Sequence, residues 1–521
     1  MTRRASNQTN FAATGVLLTI MRTLVLLPAV LGLAAASVSA TDYLVAVPAA
    51  TASDPAWSKV ADSLAAKHGG KRIDWSGKPD ELLPLLKEHQ PRWLAVVGKP
   101  DGFDAAFVRA LNRTSRKVDA DPWADVRWGL ITGPGPADAQ RIVDTREPLV
   151  IERALSTTGI DFSLVKSGVT ISDAGKGGWS EKRADGTTAQ GTWTPQEDAA
   201  GTITRFTKAW DEGRPQLLVT SAHATQFNLE MPWGLGLVAS HGGRFHVLAK
   251  DQLPQFARFL SGTLFTGSPA KLGAWLDGIK PPVLDVQPDV PKVWLACGNC
   301  LIADARRTSE SMVVTALGAG GVRQFVGYVV PSWFGRAGWG TLGLWQSSRG
   351  LLPLADAFFL NQHKVIDETL RRFPKALEVE FDSDDIESGM RGDRKFMAGL
   401  ERLAKEGVKP GNDLVGLVHD RDVVVLWGDP EWQAVFKPEK GAPWQVTWDN
   451  AADGSLGLKV QATADHEGEL ALFLPKRIDR PQLAGADGQD VLLADDFVIF
   501  RKLRATAGRS LAFRIAPGKK G

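Results

Sequence analysis

The chain of 521 residues has few of the residue types that build disulfide frameworks and metal sites. It contains two cysteines and eight histidines. Two cysteines can close at most one disulfide, so the fold must rest on a hydrophobic core rather than on covalent cross-links. The histidines show no spacing typical of zinc ligands, and we therefore predict no metal site from them.

An excess of charge of one sign is also missing. Lysine and arginine total 61 against 59 aspartates and glutamates, a formal net charge of +2. No basic stripe with interleaved aromatic residues is present, so we expect no nucleic-acid partner. With 44% hydrophobic and 23% charged residues, the composition is that of a globular chain long enough for two or three domains.

Long apolar runs are missing everywhere except near the N-terminus. From Met21 a basic residue is followed by an apolar stretch that ends in the small residues Ser37-Val38-Ser39-Ala40. This pattern predicts a signal peptide over residues 1–40, starting at Met1 or Met21 and cleaved after Ala40. Because the run is shorter than the ~20 residues of a membrane span, we expect no stable span after cleavage. The mature chain is predicted to be periplasmic, extracellular or attached to the cell surface.

Short apolar runs alternate with helix-like segments through most of the chain. Residues 41–165 and 203–435 carry this pattern, which predicts an α/β fold with a mainly parallel sheet flanked by helices. Between them, residues 166–202 are rich in Gly, Thr, Asp and Lys, and we predict a polar surface loop there. Over residues 436–521 the pattern changes to strands of period two without helices, which predicts a small antiparallel β-sandwich.

The two cysteines and one histidine follow apolar runs of the predicted sheet. Cys297 and Cys300 come after residues 293–296, and His223 comes after the similar run 217–219. Because residues just past the carboxyl ends of neighbouring strands share one crevice, a thiol and an imidazole can meet there over a substrate. The arrangement predicts a site with a cysteine nucleophile.

These segments resemble the gingipain-type cysteine peptidases, which are relatives of the caspases and have a caspase-like α/β fold. In that family one apolar strand delivers His-Gly, and a later strand delivers the nucleophilic cysteine followed by a pattern that ends in Gly-Asp. The run from Cys300 to Asp304 fits this pattern better than Cys297 does. Gingipain-like chains also commonly carry an immunoglobulin-like sandwich next. Further matches extend the resemblance over roughly residues 90–435, at residues 121–129, 319–328 and 426–430.

The resemblance implies a secreted cysteine endopeptidase that acts on peptides or proteins. Cys300 would be the nucleophile, with its thiolate favoured by a following helix N-terminus, and His223 would protonate the leaving amine. Asp121 matches an acidic residue that lines the S1 pocket of arginine-specific gingipains, which implies a basic P1 side chain. No cofactor is required, and a structural calcium ion is compatible with the resemblance.

Two further residues are expected at the substrate. Ala224 stands where the peptidases usually have glycine, and its backbone N–H could help to bind the oxyanion. Trp333 is one of several tryptophans near the predicted cleft and would contribute to an aromatic wall. The sequence leaves the P1 preference and the oligomeric state open.

Several alternatives remain at the sequence level. His241 is followed by glycine, as in the family, and is a rival to His223. The segment from Cys297 to Cys300 imitates the loop of thiol-disulfide oxidoreductases, and Cys297 could otherwise pack or form a regulatory disulfide with Cys300. The alanine at position 224 also leaves room for a catalytically inactive, peptidase-like scaffold that binds a partner.

Overall fold

Apolar runs that are buried on both faces build a large, mostly parallel sheet. A computed structural model describes residues 42–173, 178–192, 199–253, 269–306, 311–332, 335–381, 394–407, 413–486 and 488–518. The first seventeen strands of this part are β1 (Tyr43–Pro48), β2 (Lys71–Trp75), β3 (Trp93–Val97), β4 (Arg127–Ile131), β5 (Leu149–Ile151), β6 (Arg153–Ser156), β7 (Ser167–Ser172), β8 (Gly178–Lys182), β9 (Thr188–Gly191), β10 (Leu217–Thr220), β11 (Asn228–Glu230), β12 (Gly236–His241), β13 (Arg244–Ala249), β14 (Lys292–Ala296), β15 (Val322–Tyr328), β16 (Val424–Gly428) and β17 (Ala434–Phe436).

Twelve of these strands form one sheet in the order β2-β1-β3-β4-β16-β15-β14-β10-β6-β7-β8-β9. Every residue of the central strands β4, β10, β14, β15 and β16 is buried. Such strands have near-continuous apolar sequences because both faces of the sheet are covered. Antiparallel pairs occur between β15 and β16 and along β7, β8 and β9. The predicted α/β class with a mainly parallel sheet is confirmed, and the caspase-like assignment stays a prediction.

Helices flank this sheet, and local signals set their ends. The carboxylate of Asp54 accepts a hydrogen bond from the N–H of Ala56 at the start of α2, and Gly69 ends that helix in the left-handed conformation. Helices of the described residues are α1 (Ala49–Ala52), α2 (Pro55–His68), α3 (Leu83–His89), α4 (Ala105–Ser115), α5 (Pro136–Asp144), α6 (Ala199–Asp211), α7 (Pro269–Ile279), α8 (Met312–Leu317), α9 (Arg336–Ser347), α10 (Leu354–Arg372), α11 (Arg394–Lys405) and α12 (Asp413–Asp420).

The segment that we expected to be a polar loop extends the sheet instead. In the described part of residues 166–202, β7 joins the sheet beside β6, and β8 and β9 continue it as antiparallel strands. These last two strands are only partly buried. Polar side chains are therefore tolerated there, while hydrogen bonds to the neighbouring strand satisfy the backbone.

The C-terminal residues form two antiparallel sheets. The strands are β18 (Trp444–Asn450), β19 (Leu456–Ala462), β20 (His466–Phe473), β21 (Pro481–Ala484), β22 (Val491–Leu493), β23 (Phe497–Ala505) and β24 (Ser510–Pro517). One sheet has the order β18-β19-β24-β21 and the other β20-β23-β22. Buried residues of both sheets, such as Leu458 and Phe500, share one apolar core. The boundaries predicted for the domains, and the immunoglobulin-like character of this part, stay predictions.

Strand β23 connects this core to the main one. Val498 and Phe500 pack in the core between the two small sheets, whereas Phe497 and Ile499 belong to the main core. The Phe497 ring stacks on His363 with centroids 4.2 Å apart and meets Trp123 edge-on at 5.6 Å. Successive side chains of β23 point to opposite faces, so each face of the strand is buried in a different core.

In the part of the chain that the structure describes, no helix has both the length and the hydrophobicity needed to cross a bilayer.

Candidate active site

The structure places the carboxyl ends of β10 and β14 side by side. The two strands pair in parallel, and their last residues, Thr220 and Ala296, are partners in the register. The chain leaves one strand through residues 221–223 and the other through residues 297–300. The residues that follow these two apolar runs therefore lie at the same edge of the sheet.

A cavity of about 440 Å³ opens at this edge, and both Cys300 and His223 line it. His223 is exposed, whereas Cys300 is half-buried. The structure thus brings the predicted nucleophile and the predicted general acid to one cavity. Its described lining residues are Asp173, Ser221, Ala222, His223, Glu230, Met231, Gly298, Cys300, Ser332, Gly335 and Trp339.

The environment of Cys300 favours the thiol over the thiolate. Burial raises the pKa of Cys300, and the negative charge of Asp420 raises it further. The Sγ atom lies 3.9 Å from the hydroxyl oxygen of Ser332, which lowers this pKa in part. A thiolate at neutral pH therefore requires a positive group close to the sulfur.

The helix that we expected directly after Cys300 is not found there. Residues 301–306 form a turn, and the next described helix, α8, begins at Met312. Leu301 adopts the left-handed conformation with φ 60° although it is almost fully buried. This backbone conformation costs a leucine about 1–2 kcal/mol, so the turn that presents the thiol is strained.

Cys297 has a different environment. It is fully buried and does not line the cavity, and burial raises the pKa of its thiol strongly. Both cysteines are free thiols. A buried thiol with a raised pKa is a poor partner for disulfide exchange, which leaves the oxidoreductase alternative without structural support.

Asp121 does not line the cavity. It is half-buried on the loop before β4, where one carboxylate oxygen accepts a hydrogen bond from the N–H of Trp123. Burial raises the pKa of Asp121 to about 7. The position matched to the S1 acid of the family therefore does not place a carboxylate beside Cys300 in this chain.

The other expected binding residues lie as follows. Ala224 is buried and forms an antiparallel bridge with Leu229 directly after the lining residue His223, so it is not part of the cavity wall. Trp333 lies outside the described residues. The rival His241 is on the β12–β13 hairpin, where its Nε2 lies 2.8 Å from a carboxylate oxygen of Asp277, and it does not line the cavity.

Two carboxylic acids of the cavity were missed in the sequence. Asp173 directly follows β7, and one of its oxygens accepts a hydrogen bond from the N–H of Trp233. Glu230 ends β11 and is 5% exposed. Trp339 of α9 also lines the cavity, with 40% of its surface exposed. The two acids come from segments without a catalytic motif, so only the fold reveals that they line the same cavity as Cys300.

Among the residues that the structure describes, one group of carboxylates has the spacing to hold a cation. Asp119, Asp125 and Asp495 each offer an oxygen within 4.8 Å of the others. The guanidinium of Arg477 already donates to Asp125 at 3.0 Å and to Asp495 at 3.2 Å. Positive charge is thus supplied there by an arginine, and the calcium ion suggested by the resemblance stays a prediction.

Comparisons with known proteins leave the family open. No family model matches the chain, and no curated protein matches it. A solved structure described as "Structure of Protease" is similar with a TM-score of 0.39 and 9% sequence identity, over 91% of this chain and 98% of that chain. Similarity at this level assigns neither family nor activity, and the function has to be argued from the cavity.

Proposed function

We propose that the protein is an exported cysteine endopeptidase of gingipain-like type in which Cys300 and His223 hydrolyse peptide bonds. One observation carries the proposal. The thiol and the imidazole line a single cavity at the carboxyl ends of two adjacent parallel strands. Concave sites at this edge of an α/β sheet are where substrates commonly bind.

The chemistry follows from the two groups. His223 accepts the proton of the Cys300 thiol, and the sulfur attacks the peptide carbonyl carbon to form a tetrahedral intermediate. The imidazolium then gives the proton to the leaving amine as the C–N bond breaks, which leaves a thioester on Cys300. Water, deprotonated by His223, attacks the thioester and releases the acid and the thiol. Backbone N–H groups of the strained turn around Cys300 would bind the oxyanion.

The cavity also supports a preference for basic side chains at P1. The carboxylic acids of Asp173 and Glu230 both line it. A carboxylate facing the P1 side chain would pair with arginine or lysine, and bidentate pairing would favour arginine. These two residues replace Asp121 in our assignment of the specificity pocket.

Hydrolysis of fluorogenic peptides with arginine, lysine, leucine or glutamate at P1 tests the proposal. We expect Cys300→Ser to lower kcat at least about a thousandfold and His223→Ala to lower it about 10²–10⁴-fold. Asp173→Asn and Glu230→Gln should each lower kcat/KM for the arginine peptide about tenfold, with a smaller effect on the leucine peptide. Cys297→Ala is the matched control and should keep most of the activity. Equal activity of Cys300→Ser and the wild type would exclude the proposal.

A catalytically inactive scaffold is the second candidate. The raised pKa of Cys300 supports it, and so does the burial of Ala224 away from the cavity lining. Such a protein would bind basic peptides at the cavity without cleaving them. Binding that Asp173→Asn weakens, together with no cleavage of any peptide by the wild type, would favour the scaffold.

Export is the remaining part of the proposal and rests on the sequence of residues 1–40 alone. We propose that the mature chain begins at Thr41. N-terminal sequencing of the protein recovered outside the cytoplasm should give Thr41 as the first residue. A chain that begins at Met1 or Met21 would contradict cleavage.

A further inference from the structure

We propose that Asn299 is a positioning residue that holds the His223 segment against the Cys300 segment. This inference rests on the proposed function, because it assigns a role toward the proposed Cys-His pair. Asn299 precedes Cys300 directly and does not line the cavity. It would act through the backbone, without contacting the substrate.

The side chain of Asn299 is fully buried and joins the two segments by hydrogen bonds. Its Nδ2 donates to the carbonyl oxygen of Ala222 at 2.8 Å, and its Oδ1 accepts from the hydroxyl of Thr220 at 2.7 Å. Ala222 immediately precedes His223. The side-chain amide of Asn299, the residue before Cys300, is thus hydrogen-bonded to Ala222, the residue before His223.

The direction of these hydrogen bonds is determined by Trp294. Its indole Nε1–H can only donate, and it donates to the hydroxyl oxygen of Thr220 at 2.8 Å. The single hydroxyl hydrogen of Thr220 is then free to be donated to Asn299 Oδ1, which turns the amide nitrogen toward Ala222. The chain Trp294–Thr220–Asn299–Ala222 therefore fits an amide at position 299, and an ionised aspartate could not replace its donor.

The surrounding backbone supports the same arrangement. The N–H of Cys297 donates to the carbonyl oxygen of Thr220 at 2.8 Å. A Cβ atom at Gly298 would approach the hydroxyl oxygen of Ser221 to 2.8 Å, so the two segments already pack closely there. Asn299 is the next residue, and its side chain adds the hydrogen bonds to Thr220 and Ala222. On its other side the His223 segment is held by the N–H of Glu230, which donates to the carbonyl oxygen of His223 at 2.8 Å. The contact with Asn299 would fix this segment on the side of Cys300.

The variants Asn299→Ala and Asn299→Asp test the proposal, with Asn112→Ala as the matched control. Asn112 is also a buried amide, and its Nδ2 donates to the carbonyl oxygens of Asp422 and Val424, away from the cavity. We expect both Asn299 variants to lower kcat about 10²-fold with KM changed less than about threefold, because displacement of a catalytic group costs about this much. Asn112→Ala should lower Tm without changing kcat.

A double-mutant cycle with His223→Ala separates positioning from mere stability. If Asn299 acts through His223, then His223→Ala should lower kcat much less in the Asn299→Ala background than in the wild type. The Asn299→Ala variant should also lose the pH dependence of Cys300 alkylation that His223→Ala removes. Fully multiplicative effects on kcat, or an unchanged pH profile, would overturn the positioning role.

Two further measurements keep the outcome interpretable. Thr220→Val removes the hydroxyl that donates to Asn299 and accepts from Trp294. If Asn299→Ala does not fold, Thr220→Val should show the same effects in weaker form, and unchanged kcat would overturn the proposal. Failure of the proposed function gives a different result. In that case His223→Ala leaves the alkylation rate of Cys300 unchanged in the otherwise wild-type chain.

Discussion

At the scale of single residues, burial and a neighbouring negative charge both limit the reactivity of Cys300. The thiol is half-buried, and both burial and the charge of Asp420 raise its pKa. One carboxylate oxygen of Asp420 accepts a hydrogen bond from the N–H of Arg336 at the start of α9. The positive end of that helix lies near the cavity, but a carboxylate offsets its effect.

We predict that Asp420→Asn makes Cys300 more reactive. Removing the negative charge lowers the pKa of the thiol, so the rate of alkylation at pH 7.5 should rise about threefold. The measurement is the iodoacetamide rate of Cys300 against pH. Asp277→Asn, which changes an exposed carboxylate beside His241, serves as the control. A slower rate or an unchanged pH midpoint in Asp420→Asn would contradict the assignment.

The sequence singles out the two residues of the proposed pair because their signal is local. His223 and Cys300 each follow an apolar run that is buried as a strand. Asp173 and Glu230 could not be found in this way, since they enter the cavity through contacts between segments distant in the chain. Asp121 was wrongly expected at the cavity. A short local match carries no information about where in the fold its loop lies.

At the scale of elements, the sequence predicted the alternation of strands and helices but not the edge of the sheet. Central strands are recognisable because burial on both faces demands apolar residues at every position. Strands β8 and β9 are only partly buried, so their polar composition is that of a loop. Their strand character comes from pairing with β7, which is a tertiary effect.

Helix α9 packs against the cysteine segment so closely that a methyl group would not fit. A Cβ atom on Gly338 would lie 2.2 Å from the carbonyl oxygen of Cys297. We predict that Gly338→Ala lowers the free energy of unfolding by about 1–3 kcal/mol and slows alkylation of Cys300. Urea denaturation and the labelling rate measure the two effects.

Gly343→Ala is the control in the same helix. Apart from its chain neighbours and the backbone of its own helix, no atom lies within 4 Å of the position that its Cβ would take. Alanine is the better helix former, so this variant should be about 0.5–1 kcal/mol more stable, with unchanged labelling. Equal behaviour of the two variants would show that the close approach of α9 has no importance.

A buried ion-pair cluster joins α2 to the end of β16. The carboxylate of Asp429 lies 2.8 Å from Nε2 of His68 and 2.9 Å from Nζ of Lys67, and the hydroxyl of Tyr43 donates to it. Burial alone would lower the pKa of His68, but hydrogen bonds with Asp429 and Glu431 raise it to about 9. The histidine is therefore charged at neutral pH in the folded protein.

This cluster predicts a loss of stability at alkaline pH. Because the folded pKa of His68 lies above the ordinary value of 6.5, its stabilisation is complete below about pH 6.5 and is lost as the pH rises through about 9. We expect the difference in unfolding free energy between wild type and His68→Gln to shrink by about 1–3 kcal/mol over this range. The exposed His466→Gln is the control. A difference that stays constant from pH 6 to pH 9.5 would contradict the charge assignment.

At the scale of the whole molecule, the C-terminal sheets and the large sheet share buried surface. Phe497 and Ile499 belong to the main core, although their strand is part of a small antiparallel sheet. The guanidinium of Arg477 also donates to the buried Asp125 of the loop before β4. The change of sequence pattern near residue 436 predicts a change of architecture, but it carries no information about this shared core.

We predict that a chain ending at residue 439 does not fold independently. Loss of residues 440–521 would uncover Trp123 and His363, whose rings Phe497 contacts in the full chain. Exposure of a core surface of this kind favours aggregation and binding of apolar dyes. Thermal unfolding followed by circular dichroism should show no cooperative transition for the shortened chain. A soluble fragment with a sharp transition would show that the two parts fold separately.

The most direct test of the central claim is covalent labelling of the full protein with iodoacetamide, read by peptide mass spectrometry. Cys300 and Cys297 are compared in the wild type and in His223→Ala. The account predicts rapid modification of Cys300 near neutral pH, little modification of the buried Cys297, and a sharp loss of Cys300 labelling in His223→Ala. Equal, slow labelling of both thiols that is independent of His223 would contradict a catalytic pair.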